Sequence, residues 1–321
     1  MSFAPRRTVE RPEVPPLRSV LFAPGSNEGA VERALASGAD AVVLDLEEPE
    51  TPMTDAVRAR AHAVCGDVLR ARAGTPREEG PRIFARVRTA YSGGAFSDLR
   101  ALVGPALAGV LVPKIEGPED VVAMDALLVA AEVEAGRPRG SVGLYPILET
   151  AAGLRLAYEI AMASSRVVYM GGAISRFGDI HQALGYRWTA EGRETLFVRS
   201  KVLLDVKAAG IRYPVSGMWG GASDDLDGLR AFAGELRALG YYGMMLGDPA
   251  HVPLVHEIFT PTKEEVAYWA DLVRLGDAAA ETGEGPILYG DPGQGEGHEV
   301  HLAHVESARL NLEWARALGL A

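Results

Sequence analysis

The sequence predicts an α/β chain folded as a (β/α)8 TIM barrel with additional C-terminal helices, and three observations lead there. Eight short apolar runs, many rich in β-branched residues, fall at 19–23, 41–46, 83–87, 109–113, 143–148, 167–170, 212–216 and 243–246. Segments with helical spacing lie between them, at 28–37, 54–72, 118–135, 151–163, 194–209 and 224–239. The units together span about 240 residues, which suits one closed barrel better than an open doubly wound sheet.

The runs are continuously apolar rather than alternating, as strands covered on both faces of a parallel sheet require, and the helical spacers serve as crossovers. Ahead of the first run, residues 1–17 form a Pro/Arg-rich arm that is ordered only if it packs on something. The barrel is assigned to 18–260 and a helical extension to 261–321. In that extension a helix is expected over 260–279, where Thr-Pro-Thr-Lys-Glu-Glu offers an N-cap and early acidic residues. A Gly/Pro-rich loop over 283–297 and a helix over 302–318 follow. A Gly-rich loop of this length is usually functional or disordered; it either crosses to a neighbouring subunit, giving a homo-oligomer, or is a loose tail.

Composition narrows the function. With 48% hydrophobic and 23% charged residues, the chain can bury one large core. A net charge of −11 argues against a nucleic-acid surface, although a few focused arginines could still bind a small anion. The single cysteine, Cys65, excludes an intrachain disulfide and a Cys-rich zinc site; its apolar setting reads as helix packing. No apolar run is long enough to cross a membrane, and the first residues lack the apolar stretch of a secretory signal. A cytoplasmic protein without a membrane partner is expected.

Barrel chemistry sits at the C-terminal ends of the strands. There the chain places Asp45, Glu47 and Glu48 after strand two, Arg86 and Arg88 in strand three, Lys114 and Glu116 after strand four, and Glu149 after strand five. Arg176 and Asp179 follow strand six and Asp248 follows strand eight, while Arg18 stands at the start of strand one. Buried charges must pair or hold a metal. Glu149 and Asp179, flanked by small residues, are the natural metal pair for Mg²⁺, which takes one or two carboxylates and fills its octahedron with water and substrate oxygens. Ion pairing with Arg86, Arg176 or Lys114 is the alternative use of the same carboxylates. Arg86, inside an apolar strand, must face the mouth or pair with an acid, and its guanidinium suits a carboxylate or enolate-like oxygen. Arg88 has the same parity and should point the same way. Lys114 either binds substrate or pairs with Glu47 or Glu116. His251 and His256 do not share a zinc-ligand face.

These residues also carry a family resemblance. Arg18-Ser19-Val20-Leu21-Phe22-Ala23-Pro24-Gly25 resembles the opening of the citrate lyase β-subunit/malyl-CoA lyase family, within the HpcH/HpaI aldolase/citrate lyase superfamily. Asp45-Leu46-Glu47-Glu48 resembles its Asp-Leu-Glu-Asp motif, Arg86-Val87 its Arg-(Val/Ile)-Asn strand, and Val112-Pro113-Lys114 its Leu-Pro-Lys. Glu149-Thr150-Ala151-Ala152-Gly153 and Phe177-Gly178-Asp179 resemble its Glu-Thr-Ala and Phe-Gly-x-x-Asp segments. The similarity runs in order over about residues 18–280.

The resemblance implies Mg²⁺ on Glu149 and Asp179, Arg86 on the carbonyl or enolate oxygen, and Arg18, Asp45, Glu47 and Lys114 around the substrate. The implied reaction makes or breaks a C–C bond between a 2-oxo acid (glyoxylate, pyruvate or oxaloacetate type) and an acyl-CoA enolate, in a homo-oligomer, trimer or hexamer. A thioesterase acting on a malyl-CoA-type ester, a pyruvate-type aldolase on a non-CoA substrate, and a binding protein without turnover are the other readings. The aldolase branch carries a catalytic histidine on an early strand, where this chain has only the carboxylates of 45–48.

Three departures mark the chain's own character. Asp179 directly follows Phe177-Gly178. Leu246-Gly247-Asp248-Pro249-Ala250-His251 replaces the family's Ile-His-Pro-x-Gln. Glu296-Gly297-His298-Glu299-Val300-His301 resembles the C-terminal segment that carries a catalytic Asp into the next subunit, which would place His301 at that position. Histidine is a proton carrier near neutral pH; a solvated helix start is the other reading of the same stretch. Arg88 stands where the family has asparagine, adding positive charge where a substrate anion could bind.

Overall fold

A computed structural model describes residues 9–48, 52–75, 79–172, 174–283, 287–289 and 298–321. The chain divides into two compact units, 1–257 and 258–321. In the first, strands and helices alternate as β1 (Ser19–Pro24), α1 (Glu28–Leu35), β2 (Ala41–Asp45), α2 (Asp55–Ala71), β3 (Arg82–Arg86), α3 (Ala95–Leu102), β4 (Leu107–Val112), α4 (Pro118–Glu134) and β5 (Gly143–Leu148). They continue as α5 (Ala151–Arg155), α6 (Ala157–Met162), β6 (Gly171–Gly172), α7 (Asp179–Leu184), α8 (Arg193–Ala208), β7 (Val215–Ser216), α9 (Leu226–Leu239), β8 (Gly243–Leu246) and α10 (Val252–Phe259).

Eight parallel strands are present, in the order β6-β5-β4-β3-β2-β1-β8-β7; seven fall on their expected runs, and the sixth forms at Gly171–Gly172, just past the run expected at 167–170. The two outer strands meet at a seam. A Cβ on Gly171 would overlap the Val215 carbonyl, and one on Gly217 would overlap the Ile174 backbone. The Met218 N–H donates to the Ile174 carbonyl at 2.9 Å. The eight strands therefore form the nearly closed (β/α)8 barrel that the sequence predicts. At the seam β6 and β7 shrink to two residues each, because backbones this close leave no room for the regular ladder. The run at 167–170 contributes only an isolated bridge, Val167 with Leu144.

Period-two alternation aims side chains inward. Val20, Ala41, Val43, Phe84, Leu111, Tyr145, Ile147, Val215 and Met245 fill the barrel, as layers of side chains fill such barrels generally. The next inward positions beyond Val43, Phe84 and Ile147 are Asp45, Arg86 and Glu149, which places the three at the mouth. At the opposite end the described part of the arm packs. Arg11 donates to the carbonyls of Val167 (2.8 Å), Ala209 (2.7 Å) and Ala161 (2.5 Å), and the Tyr169 hydroxyl donates to the Pro15 carbonyl at 2.7 Å.

Three helices, α3, α7 and α10, are additions to the expected set; each is under two and a half turns, too short to show a periodic pattern. The helix expected over 151–163 divides at Leu156. Cys65 is fully buried on α2, its thiol pushed up to about 12 by burial and by Asp45, so it is a packing residue.

The second unit holds α11 (Lys263–Thr282), β9 (Ile287–Tyr289), β10 (His298–Val300) and α12 (Leu302–Ala317). Thr262 and Glu265 cap the start of α11 reciprocally, at 3.1 and 2.7 Å. Leu272, Val300, Val305 and Ala308 form a small core, with Tyr268 and Tyr289 against it. Part of the stretch expected as loop is thus a strand, β9, which pairs antiparallel with β10 just beyond that stretch. Residues 284–286 and 290–297, including Glu296 and Gly297 of the C-terminal motif, lie outside the described residues.

Candidate active site

Asp45 ends β2 in direct register with Arg86 at the end of β3, and the two pair across the strands. Arg86 Nε and Nη2 donate to the Asp45 carboxylate at 2.9 and 2.6 Å, and Nη1 stands 3.1 Å from Glu47 Oε2. The guanidinium lies over the Phe22 ring, 5.5 Å from its centroid. Burial pulls Arg86 toward the neutral form, but the bond to Asp45 and the charges of Asp45, Glu47 and Glu149 outweigh it, so its proton is held more tightly than usual. Asp45 is saturated, because its Oδ1 also accepts the Glu47 and Glu48 N–H groups at 3.1 and 3.4 Å. Its role in this geometry is to fix Arg86.

Glu149 directly follows β5 and is 8% exposed. Its Oε1 accepts the Lys114 N–H at 2.8 Å. Burial, reinforced by the charges of Asp179 and Glu47, pushes the carboxyl up to about 7 against the opposing pull of the Lys114 N–H and Arg86. Next to it Thr150 caps α5, accepting from the Gly153 N–H at 2.9 Å and donating to the Ile115 carbonyl at 2.7 Å. Gly153 is required there, since a Cβ would overlap the Ile115 carbonyl.

Lys114 links the two carboxylate groups of the mouth. Its Nζ donates to Glu47 Oε1 at 2.6 Å and stands 3.4 Å from Glu48 and 3.6 Å from Asp179 Oδ2. Glu116 is not its partner; it lies exposed. Among the described non-glycine residues Lys114 alone has a left-handed backbone, φ 54°, and this turn aims its N–H at Glu149. Strain of this sort collects at functional sites. Lys114→Gly should therefore unfold in urea at a stability about 1 kcal/mol above Lys114→Ala, since both lose the ammonium but only glycine accepts this φ without strain. Equal stabilities would show that the turn stores no strain.

Asp179 opens α7 after a turn in which Ser175 Oγ accepts the Gly178 N–H at 2.9 Å. It is partly exposed, and its charge acts on both Lys114 and Glu149. Among the described residues no group of three or more His, Cys, Asp or Glu is placed to hold a metal. The set is a pair of carboxylates, one raised by burial near other acids. That donor set fits a hard divalent cation completed by water and substrate, and does not fit a zinc or calcium cage.

Two expected positions differ in the structure. Arg18 lies at the opposite, N-terminal end of the barrel, where its backbone N and its Nε and Nη2 all engage Asp40 at 2.7–2.9 Å. It precedes β1, whose mouth end is Pro24, so it does not line this site. Arg88 turns out of the mouth, with Nε and Nη2 on buried Asp98 at 2.9 and 2.7 Å and Nη2 also on the Gly94 carbonyl. The partner is supplied by α3, the helix that the sequence pattern did not reveal. Asp248 accepts from the Ala250 N–H at 2.8 Å and bonds Ser223. His301 stands before α12 in the second unit, exposed, its backbone N–H donating to His304 Nδ1 at 3.0 Å.

A family model described as HpcH/HpaI aldolase/citrate lyase matches residues 18–249. The chain belongs to this family of carbon–carbon lyases.

A citrate lyase subunit beta-like protein of Deinococcus radiodurans is 34% identical, over 92% of this chain and 96% of that protein. An L-malyl-CoA/beta-methylmalyl-CoA lyase of Cereibacter sphaeroides is 30% identical, over 99% of each. The crystal structure of protein CitE from Mycobacterium tuberculosis, in complex with magnesium, acetoacetate and coenzyme A, shares the fold at TM-score 0.66, with 24% identity over 94% of this chain and 99% of that one. Within this lyase the backbone N–H of Lys114 is the site feature that sequence reasoning missed. No residue-type signal announces a left-handed lysine.

Proposed function

We propose that this lyase makes or breaks the bond between a 2-oxo acid and the α-carbon of an acyl-CoA, with Glu149 and Asp179 holding Mg²⁺. One observation carries the reading: Arg86, fixed by Asp45 and Glu47, and Glu149, its carboxyl raised to about 7, are the next inward positions above one barrel core. When bound, Mg²⁺ supplies Lewis-acid polarisation of the 2-oxo group and neutralises the adjacent carboxylate. Arg86 presents a charge that stays protonated throughout and stabilises the oxygen on which negative charge develops. Lys114 holds Glu47 in place and balances the acidic rim. The magnesium in the CitE complex and the CoA ester in the name of the Cereibacter enzyme support this assignment of partners. We assign proton transfer to His301, delivered from a neighbouring copy in a homo-oligomer.

The test is product analysis. Incubated with Mg²⁺ and a 3-hydroxyacyl-CoA of the malyl type, the protein should release an acyl-CoA and a 2-oxo acid. Free CoA with an intact hydroxy acid would make it a thioesterase instead.

A further inference from the structure

The N-terminal end of the barrel, opposite the mouth, holds a cavity of about 380 Å³, within the roughly 300–1,000 Å³ typical of small-ligand sites. One wall is built from strand residues: Arg82 at the start of β3, Ala108 on β4 and Gly143 at the start of β5, with Val168 beside them. The other wall is the arm, residues Pro12, Glu13 and Val14. That wall is pinned on both sides. Arg11 donates to the carbonyls of Val167, Ala209 and Ala161, and Tyr169 donates to that of Pro15. The cavity therefore lies between two anchored segments.

Arg82 is the charged group left over in it. It stands two residues before Phe84, at the lower end of the inward row that Arg86 ends at the mouth. Its side chain is half-buried, yet makes no hydrogen bond or ion pair among the described residues. Nearby charges are already paired: Asp40 with Arg18, and Arg166 with Glu132 and Asp125. The charge of Arg82 also reaches the Tyr169 hydroxyl, which holds the arm at Pro15. A half-buried guanidinium with unused donors is best satisfied by an anion.

We infer that this cavity binds a small monocarboxylate with a short alkyl group, its carboxylate on Arg82 and its alkyl group against Val14, Ala108 and Val168. The apolar half follows from the lining, since Val14 and Ala108 pack against the barrel core and Val168 belongs to it. The single charge follows from Glu13, an exposed acid on the arm wall, which repels a second negative charge. Phosphate and dicarboxylates therefore fit less well. The mouth offers no equivalent, because Arg86 is already shared between Asp45 and Glu47. A ligand here touches no residue given a part in the reaction; it ties the arm to the start of β3, at the end of the barrel that carries no chemistry.

Calorimetric titration of the full chain with isovalerate, in EDTA so that no cation occupies the mouth, tests the site. Its neutral counterpart isovaleramide should bind the wild type at least about tenfold more weakly, and inorganic phosphate should also bind more weakly than isovalerate. Arg82→Gln should lose about tenfold in affinity for isovalerate and none for the amide, while Arg82→Lys should recover part of the loss. Ala108→Leu, which fills the apolar wall and keeps the cation, should weaken both ligands. Arg86→Lys should bind isovalerate as the wild type does. No binding to the wild type at about 20 mM isovalerate, equal affinity for acid and amide, or equal affinity of wild type and Arg82→Gln would each overturn the site. A loss in Arg86→Lys without one in Arg82→Gln would move the ligand to the mouth and overturn it equally.

Discussion

Glu149→Gln should melt at a higher temperature than the wild type when both are metal-free at pH 8, and should lose the stabilisation that Mg²⁺ gives the wild type. The reason is the price of the buried charge. Its carboxyl is raised from 4.5 to about 7 in the folded chain, so the folded state holds its proton more tightly than the unfolded state does. For a carboxyl raised on folding, stability is lost as pH climbs from the unfolded value through the folded one. At pH 8 that loss is about 3 kcal/mol, and at pH 5 it falls below about 1 kcal/mol. Glutamine keeps an oxygen for the Lys114 N–H and carries no charge, so its advantage should be present at pH 8 and nearly vanish at pH 5. Mg²⁺ at a hundredfold excess over its Kd stabilises a folded state by about 2.7 kcal/mol, and the variant should show none of this. Its kcat/KM should fall by about 10³ or more, since the substrate loses its Lewis acid. Melts of both proteins at the two pH values, with and without Mg²⁺, check the claim; a full Mg²⁺ shift in Glu149→Gln would refute the ligand assignment.

Arg86→Ala should be the most damaging substitution at the mouth. It leaves Asp45, 7% exposed, without its cation and Glu47 with Lys114 alone, and breaking one side of a buried pair costs about 3–5 kcal/mol. Arg86→Lys keeps the charge but cannot span both oxygens of Asp45 and still reach Glu47, so it should fold while kcat drops about 10²–10³-fold. The double variant Arg86→Ala/Asp45→Asn separates the two effects. Removing both charges should recover much of the stability measured by urea unfolding, yet leave the activity of the single variant unimproved. Recovery of activity along with stability would mean that Arg86 serves the fold alone.

The charged half of this mouth was legible because it follows from parity. Once strands were placed at 41–46, 83–87 and 143–148, Asp45, Arg86 and Glu149 had to continue the inward rows. Lys114 was legible as a rim residue, but its place between Glu47 and Asp179 was not. Arg88 misled for a definite reason: parity sends it inward only while the strand continues, and β3 ends at Arg86. Beyond that point the nearest buried acid, Asp98 on α3, decided its direction. Arg18 misled because the resemblance set it beside the substrate, although its place at the start of strand one puts it at the opposite end of the barrel, where Asp40 pairs with it.

Composition and periodicity by themselves determined the alternating barrel, seven of its eight strands and the three side chains that face its mouth, because these depend only on local period and burial. Tertiary structure alone decided the seam at Gly171 and Gly217, the left-handed turn that brings the Lys114 N–H to Glu149, and the pairing of Arg18 and Arg88 away from the site. Each of these depends on the distance between segments far apart in the chain. Close backbone approach and competition between buried charges are set by what folds alongside a residue, and no local pattern encodes them.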